Sequence, residues 1–233
     1  MALILNIETA TTVCSAALSK DGQLLALKEL NNGYTHAENL TLFVEEVMNK
    51  AGAKFKDLDA VAVSKGPGSY TGLRIGVSTA KGFCYALTKP LLSAPTLKHL
   101  ALQVSSSKKT ELPNSNALFC PMIDARRMEV YCALFNFDNN EVRATAAEII
   151  DENFLSDILD KHTVYFFGDG AAKCKSALGA NKNAIFIDSV FPSAKDMVAL
   201  SEDAFNKKLF EDVAYFEPFY LKDFVAGKKK GEL

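Results

Sequence analysis

Two stretches of this 233-residue chain carry residue types that could handle a phosphorylated ligand. The first is Asn6-Ile7-Glu8-Thr9, with Thr11 and Thr12 close behind. An acidic side chain and hydroxyls at a strand's end can hold a hydrated magnesium ion and a nucleotide's phosphates. The same hydroxyls can satisfy backbone groups of a turn, and residue type alone favours that plainer reading. The second stretch is Gly66-Pro67-Gly68-Ser69-Tyr70-Thr71-Gly72. Three glycines in seven residues permit close backbone approach. The helix expected after them offers N–H groups and a positive dipole end to an anion. Leu73-Arg74 follows Gly72, so this is not a phosphate loop of the Gly-Lys-Ser/Thr kind. An anion role and pure turn geometry stand level.

Other chemistry is missing. His36, His99 and His162 are far apart, with no H-x-x-x-H or H-E-x-x-H. In His36-Ala37-Glu38-Asn39-Leu40 a leucine stands where a second helical metal ligand would sit. No metal ligands are expected, and no Ser/His/Asp or Cys/His set is visible in the sequence.

The elements that must position these residues can be read from periodicity. Leu3 to Ile7 is an apolar run of strand length. Thr12–Leu18 and Gln23–Leu30 flank Asp21-Gly22, a strong hairpin signal. Thr35-x-x-Glu38 fits a capping box. A helix follows, with Leu40, Phe43, Val44, Val47, Met48 and Ala51 at helical spacing and Gly52 at its stop. Leu58 to Val63 reads as a strand, and a helix is expected from about Gly72 to Thr88, ended by Pro90. Leu91-Leu92 opens another short strand.

The second half echoes the first. Ala117 to Ile123 is an apolar strand ending at Asp124, as the first ends at Glu8. A hairpin turning at Asp138-Asn139-Asn140 follows, then helices near 154–160 and 171–178 and strands at 163–167 and 184–187. The expected organisation is an N-terminal lobe over 1–104, a polar linker over 105–116 and a C-terminal lobe over 117–233. A last helix (194–209) is expected to pack back on the first lobe. An aromatic tail, Tyr215 to Leu221, and the run Lys228-Lys229-Lys230 come after it; the lysines read as a solvated tail.

The Gly72–Thr88 helix has an unusual wheel. Gly72, Gly76, Thr79, Ala80, Phe83, Ala86 and Leu87 share one face, and Leu73, Val77 and Cys84 widen it. The small or apolar arc spans roughly 200°, against the ~100° stripe of an ordinary surface helix. The sheet and a neighbouring helix could bury the surplus. Alternatively, part of it meets another chain, with Gly72 and Gly76 letting helices approach closely.

Hydrophobic residues make up 48% and the formal net charge is −2. That excludes a disordered chain and a global field for nucleic acid, so any RNA contact must be local or supplied by a partner. Five cysteines without a C-x-x-C pair, each in or beside an apolar stretch, read as buried reduced thiols. No run approaches the ~20 apolar residues of a membrane span, and the N-terminus reads as a strand, so a cytoplasmic protein is expected.

Four motifs together resemble one known family. They are Ile4 to Thr11; Gly66 to Gly76, with its Leu73-Arg74-Ile75-Gly76 extension; Ile123-Asp124-Ala125-Arg126-Arg127 with Glu129-Val130-Tyr131; and Pro218 to Lys222. In this order, over nearly the whole chain, they resemble the bacterial TsaB family. The resemblance implies an α/β fold of two duplicated RNase H-like lobes of the actin/sugar-kinase/Hsp70 type, with mixed sheets flanked by helices. It implies a role in making threonylcarbamoyladenosine in tRNA, as the non-catalytic partner of the transferase TsaD, which carries the H-x-x-x-H metal motif missing here. An ATPase, TsaE, would join them, and tRNA would be met through the complex.

The family's dimer interface implies a docking surface of His36, Asn39, Phe43, Gly72, Ile75, Gly76, Thr79 and Phe83. The same surface would support a homodimer when the chain is alone. The alternative is a stand-alone ATP-binding phosphotransferase or ATPase. Its cofactor would be ATP or ADP with magnesium, met by Glu8, Thr9, Gly66 and Gly68 with Asp124, or the nucleotide would sit at the partner interface. The old peptidase label of the family finds no nucleophile or metal cluster in this sequence.

Overall fold

The computed structural model describes residues 2–33, 35–108 and 116–222. The first half folds as β1 (Leu3–Glu8), β2 (Val13–Lys20), β3 (Gln23–Asn31), α1 (His36–Lys50), β4 (Ala60–Gly66), α2 (Tyr70–Leu87), β5 (Leu91–Pro95) and α3 (Thr96–Lys108). The second half follows as β6 (Leu118–Asp124), β7 (Glu129–Phe135), β8 (Glu141–Ile149), α4 (Ser156–Leu159), β9 (Val164–Phe167), α5 (Ala171–Leu178), β10 (Ala184–Ile187) and α6 (Val198–Asn206).

The two sheets share one topology. The first runs β3-β2-β1-β4-β5, and the second runs β8-β7-β6-β9-β10 in the same sense. In each, the first three strands pair antiparallel, the fourth joins the central strand in parallel and the fifth joins the fourth in parallel. The duplication expected from the sequence is therefore present strand for strand. Asp21 (φ 53°) and Gly22 (φ 73°) both take the left-handed conformation that a two-residue hairpin needs to follow the sheet's twist.

Both faces of the first sheet are covered. Leu5 and Ile7 of β1 meet Val44 and Val47 of α1 and Val77 and Ala80 of α2. On the other face, Ile4, Ala62 and Ala94 meet Met197, with Leu200, Ala204 and Phe205 packed alongside. The final helix thus returns from the second half of the chain to the first sheet. Leu97, Leu100 and Val104 of α3 bury themselves with Phe119, Phe135 and Phe167 of the second sheet, so α3 ties the lobes together. It extends to Lys108, which makes Ser105–Lys108 helical rather than linker. The rest of the expected linker, 109–115, and Lys228–Lys230 lie outside the described residues.

One local expectation fails. Thr35 does stand at the N-cap of α1, but its side chain accepts no capping hydrogen bond. Its carbonyl instead accepts the Asn39 side-chain amide at 2.9 Å, and the capping box is not formed. All five cysteines are buried and free, as their apolar settings suggested. No helix among the described residues is long and apolar enough to cross a membrane.

Candidate functional site

A cleft of about 900 Å³ opens between the lobes. One wall comes from the first lobe: Ala10, Thr11 and Thr12 after β1, and Pro67 to Gly72 leading into α2. The opposite wall comes from the second lobe: Ile123 to Arg127, Glu129, Tyr131 and Asp169. Phe219 to Lys222 of the tail close one side. Both glycine-rich and Asp-Ala-Arg-Arg motifs therefore face one space, because each follows the central strand or its parallel neighbour at the same end of its sheet.

The residues expected to hold a nucleotide mostly do not reach this space. Glu8 is fully buried and turned inward. Its Oε1 accepts the Ala10 N–H at 2.5 Å, and its Oε2 lies 2.7 Å from His99 Nε2 of α3, an ion-pair distance without hydrogen-bond alignment. Thr9 is equally buried and donates its hydroxyl to the Gly72 carbonyl at 2.8 Å. Gly66 lies beneath the Phe219 carbonyl of the tail. Of the residues expected there, Gly68 and Asp124 line the cleft, and Asp124 is ion-paired with Lys173. Among the described residues no three His, Cys, Asp or Glu side chains are grouped to hold a metal ion. Glu8 is turned inward and Asp124 is engaged by Lys173 and the Arg126 N–H, so the residues present do not fit a nucleotide–magnesium centre.

Sequence reading misses His99 as Glu8's partner. It sits on α3, a helix that the Thr96–Lys108 stretch does not announce by its spacing. Asp196, on the turn of helix at 194–197 just before α6, belongs to the same neighbourhood. Burial pushes its carboxyl up to about 6, opposed by the nearby His99 and Lys195.

The second-lobe wall is more polar and better supplied with charge. Asp124 is ion-paired with Lys173, and Lys173 also donates to the Glu129 carbonyl at 2.6 Å. Glu129 is ion-paired with Lys222 of the tail. Asp169 accepts the Asp124 N–H at 3.0 Å, and burial pushes its carboxyl up to about 6 despite that bond. Arg126 (φ 71°) and Arg127 (φ 49°) both stand in left-handed conformation at the turn, exposed to solvent.

The residues expected at a docking surface divide into two groups. His36 is buried, with Nε2–H on the Thr11 carbonyl at 2.8 Å, and Phe43 lies in the first core. Gly72 and Gly76 are buried as well. A Cβ at Gly72 would lie 2.2 Å from the Thr9 carbonyl oxygen, and one at Gly76 would lie 2.2 Å from Thr9 Oγ1. These glycines let α2 approach its own β1 turn closely. Asn39, Ile75, Thr79 and Phe83 are half-buried; Leu42 of α1 is 59% exposed, and Tyr85 is 85% exposed on another side of α2. Phe83 is itself stacked on Phe55 at 5.5 Å. The wide arc is thus partly used at home: α1, the sheet, Phe55 and the tail residues Val213 and Phe216 pack into the same core.

The tail follows a defined course over the first lobe. Lys81 of α2 donates to the carbonyls of Ala214 (3.1 Å) and Phe216 (3.0 Å). Phe219 donates its N–H to the Lys65 carbonyl at 2.7 Å, and the Tyr220 ring sits 4.9 Å from that of Tyr70.

Comparison with known proteins agrees with this architecture. Residues 32–230 match the family described as TsaD, tRNA N6-adenosine threonylcarbamoyltransferase. The Escherichia coli tRNA threonylcarbamoyladenosine biosynthesis protein TsaB is 30% identical over 97% of both chains. Its Haemophilus influenzae namesake is 27% identical over 97% of this chain and 96% of that one. A crystal structure from Pseudomonas aeruginosa, described as similar to peptidase YeaZ, superposes with a TM-score of 0.80. It is 23% identical and covers 95% of this chain and 100% of its own. The fold is the duplicated RNase H-like one.

Proposed function

The chain belongs to the TsaB family of tRNA threonylcarbamoyladenosine biosynthesis proteins, and from that premise we propose that it is the non-catalytic partner and activator of a TsaD-type transferase. The observation that carries this reading is the outward strip of α1 and α2. Ile75, Thr79 and Phe83 follow one another at i, i+4 along α2 and are only half-buried, and Leu42 of α1 is exposed. Partly exposed apolar side chains along a helix are material for a protein interface. Asn39, Ile75, Thr79 and Phe83 form the docking patch. His36, Phe43, Gly72 and Gly76 shape the helices beneath it. The same patch supports a homodimer when no partner is present, because a two-fold pairing brings one patch onto its own copy. A TsaE-type ATPase joins the resulting complex, and the complex meets tRNA.

The phosphotransferase alternative loses ground on geometry. It needs Glu8 and Thr9 at the cleft, and both are sealed under the β1 turn. The test is co-purification with a TsaD-type transferase and an assay of threonylcarbamoyladenosine formation with and without this chain. Association with a gain in transferase rate supports the reading. Failure to associate, or turnover by this chain alone, refutes it.

A further inference from the structure

We propose that the Arg126–Arg127 turn is an RNA contact, in which two guanidiniums hold backbone phosphates of a tRNA strand lying across the mouth of the inter-lobe cleft. The proposal rests on the family's role in tRNA modification; docking of a partner on α1 and α2 is a separate question.

The first observation is conformational. Arg126 and Arg127 are consecutive non-glycine residues with φ of 71° and 49°. An L-residue with a large side chain is strained there, and a hairpin needing two such positions is most easily built from Asn-Gly. The turn is held in this shape by Asp124 Oδ1 accepting the Arg126 N–H (2.8 Å), by Glu129 donating to the Arg126 carbonyl (3.1 Å) and by Ala125 donating to the Glu129 carbonyl (3.1 Å). Strain maintained by surrounding bonds is a feature of functional sites. What it achieves here is placement of two cations side by side on the cleft wall.

The second observation is electrostatic. The carboxylates on that wall already have partners: Asp124 has Lys173, Glu129 has Lys222, and Asp169 has the Asp124 N–H. Among the described residues neither guanidinium has an ion-pair or side-chain hydrogen-bond partner. Two adjacent exposed arginines repel one another until an anion sits between them, and a guanidinium fits a phosphate with two parallel N–H donors. In a chain of net charge −2, such a pair is a local footprint.

The third observation concerns what lies beside the arginines. Tyr131 lines the same cleft and Phe219 is 44% exposed at its edge, while Tyr70 and Tyr220 pack on each other there. Aromatic faces interleaved with guanidiniums suit unstacked bases of a single-stranded or loop region. A nucleoside triphosphate fits less well. Glu8 and Thr9 are turned away from the cleft, and among the described residues no group of carboxylates, histidines or cysteines is gathered to hold a triphosphate's magnesium.

The test uses full-length chain in complex with its TsaD-type partner, titrated with unmodified tRNA over a range of salt concentrations. Arg126→Gln, Arg127→Gln, the double variant and the double Lys variant are compared with the parent, with ATP titrated in a parallel arm. Each phosphate no longer held should lower the slope of log K against log salt by about 0.7–0.9. The double Gln variant should therefore lose about 1.5 in slope and at least about tenfold in low-salt affinity, while the double Lys variant keeps most of the slope. Unchanged tRNA affinity and slope in the double Gln variant would overturn the proposal. So would weakened ATP binding with intact tRNA binding, which would assign the arginines to a nucleotide. Arginine-dependent tRNA binding by a chain that fails to bind the partner would sustain this inference and defeat the docking reading instead.

Discussion

Glu8 looks from its position like a cation ligand, yet its chemistry is internal. One oxygen holds the Ala10 N–H and thereby the turn that carries Thr11 and Thr12 into the cleft; the other faces His99 on the helix that joins the lobes. Removing one member of a buried pair leaves the other charged or polar group without compensation, at a cost of about 3–5 kcal/mol. Glu8→Ala should therefore lose about 3 kcal/mol in denaturant unfolding; a loss under about 1 kcal/mol would show that the pair is not structural. Asp169 makes a second prediction. Its carboxyl sits at about 6 in the folded chain against an ordinary value of 3.8, raised chiefly by burial. The folded state thus holds the proton more tightly than the unfolded one. The associated stability is complete below about pH 4 and is lost as pH rises through about 6, by roughly 3 kcal/mol. Asp169→Asn should flatten the stability profile over that window, leaving only the fall due to Asp196, whose carboxyl is raised in the same way. At this scale the sequence exposes the motifs but not their partners. Glu8 and His99 are 91 positions apart, and nothing local announces that they meet.

Helix α2 serves two neighbours at once. Ser69 caps it, accepting the Gly72 N–H at 3.2 Å, and Gly72 and Gly76 let it settle against Thr9. Substitution at Gly76 therefore acts on the fold. Gly76→Ala would set a Cβ 2.2 Å from Thr9 Oγ1, and overpacking of this kind costs about 1–3 kcal/mol. Thr79→Arg acts differently, because Thr79 is half-exposed on the outward strip. It should weaken partner binding more than about tenfold while leaving the melting temperature within about 2 °C, since surface substitutions change stability little. Equal losses of stability in both variants would remove Thr79 from the docking patch. Periodicity reveals α2, α5 and both hairpins because their apolar spacing and turn residues agree. It overlooks α3, since the Ser105-Ser106-Ser107 end of that helix has the composition of a loop and its buried face is matched to the other lobe. The wheel of α2 marks it as too apolar for a lone surface helix, but the tail and Phe55 absorb part of the surplus, which no helical wheel can display.

The molecule as a whole repeats one five-stranded plan twice and sets the two copies around a shared cleft. That repeat is legible because each half opens with the same strand–hairpin order. The relation between the halves is not, because it depends on α3, on the return of α6 and on a tail that runs along α2 and pairs Lys222 with Glu129. The central claim is that the outward strip of α1 and α2 makes this chain the activating partner of a transferase. It is tested most directly by reconstituting threonylcarbamoyladenosine formation from purified components: transferase alone, this chain alone, both together, and transferase with Thr79→Arg. Activity only when wild-type chain and transferase are combined, with loss in the variant alongside loss of co-elution, is the predicted result. Full activity with the variant, or product formed by this chain without the transferase, would contradict the account.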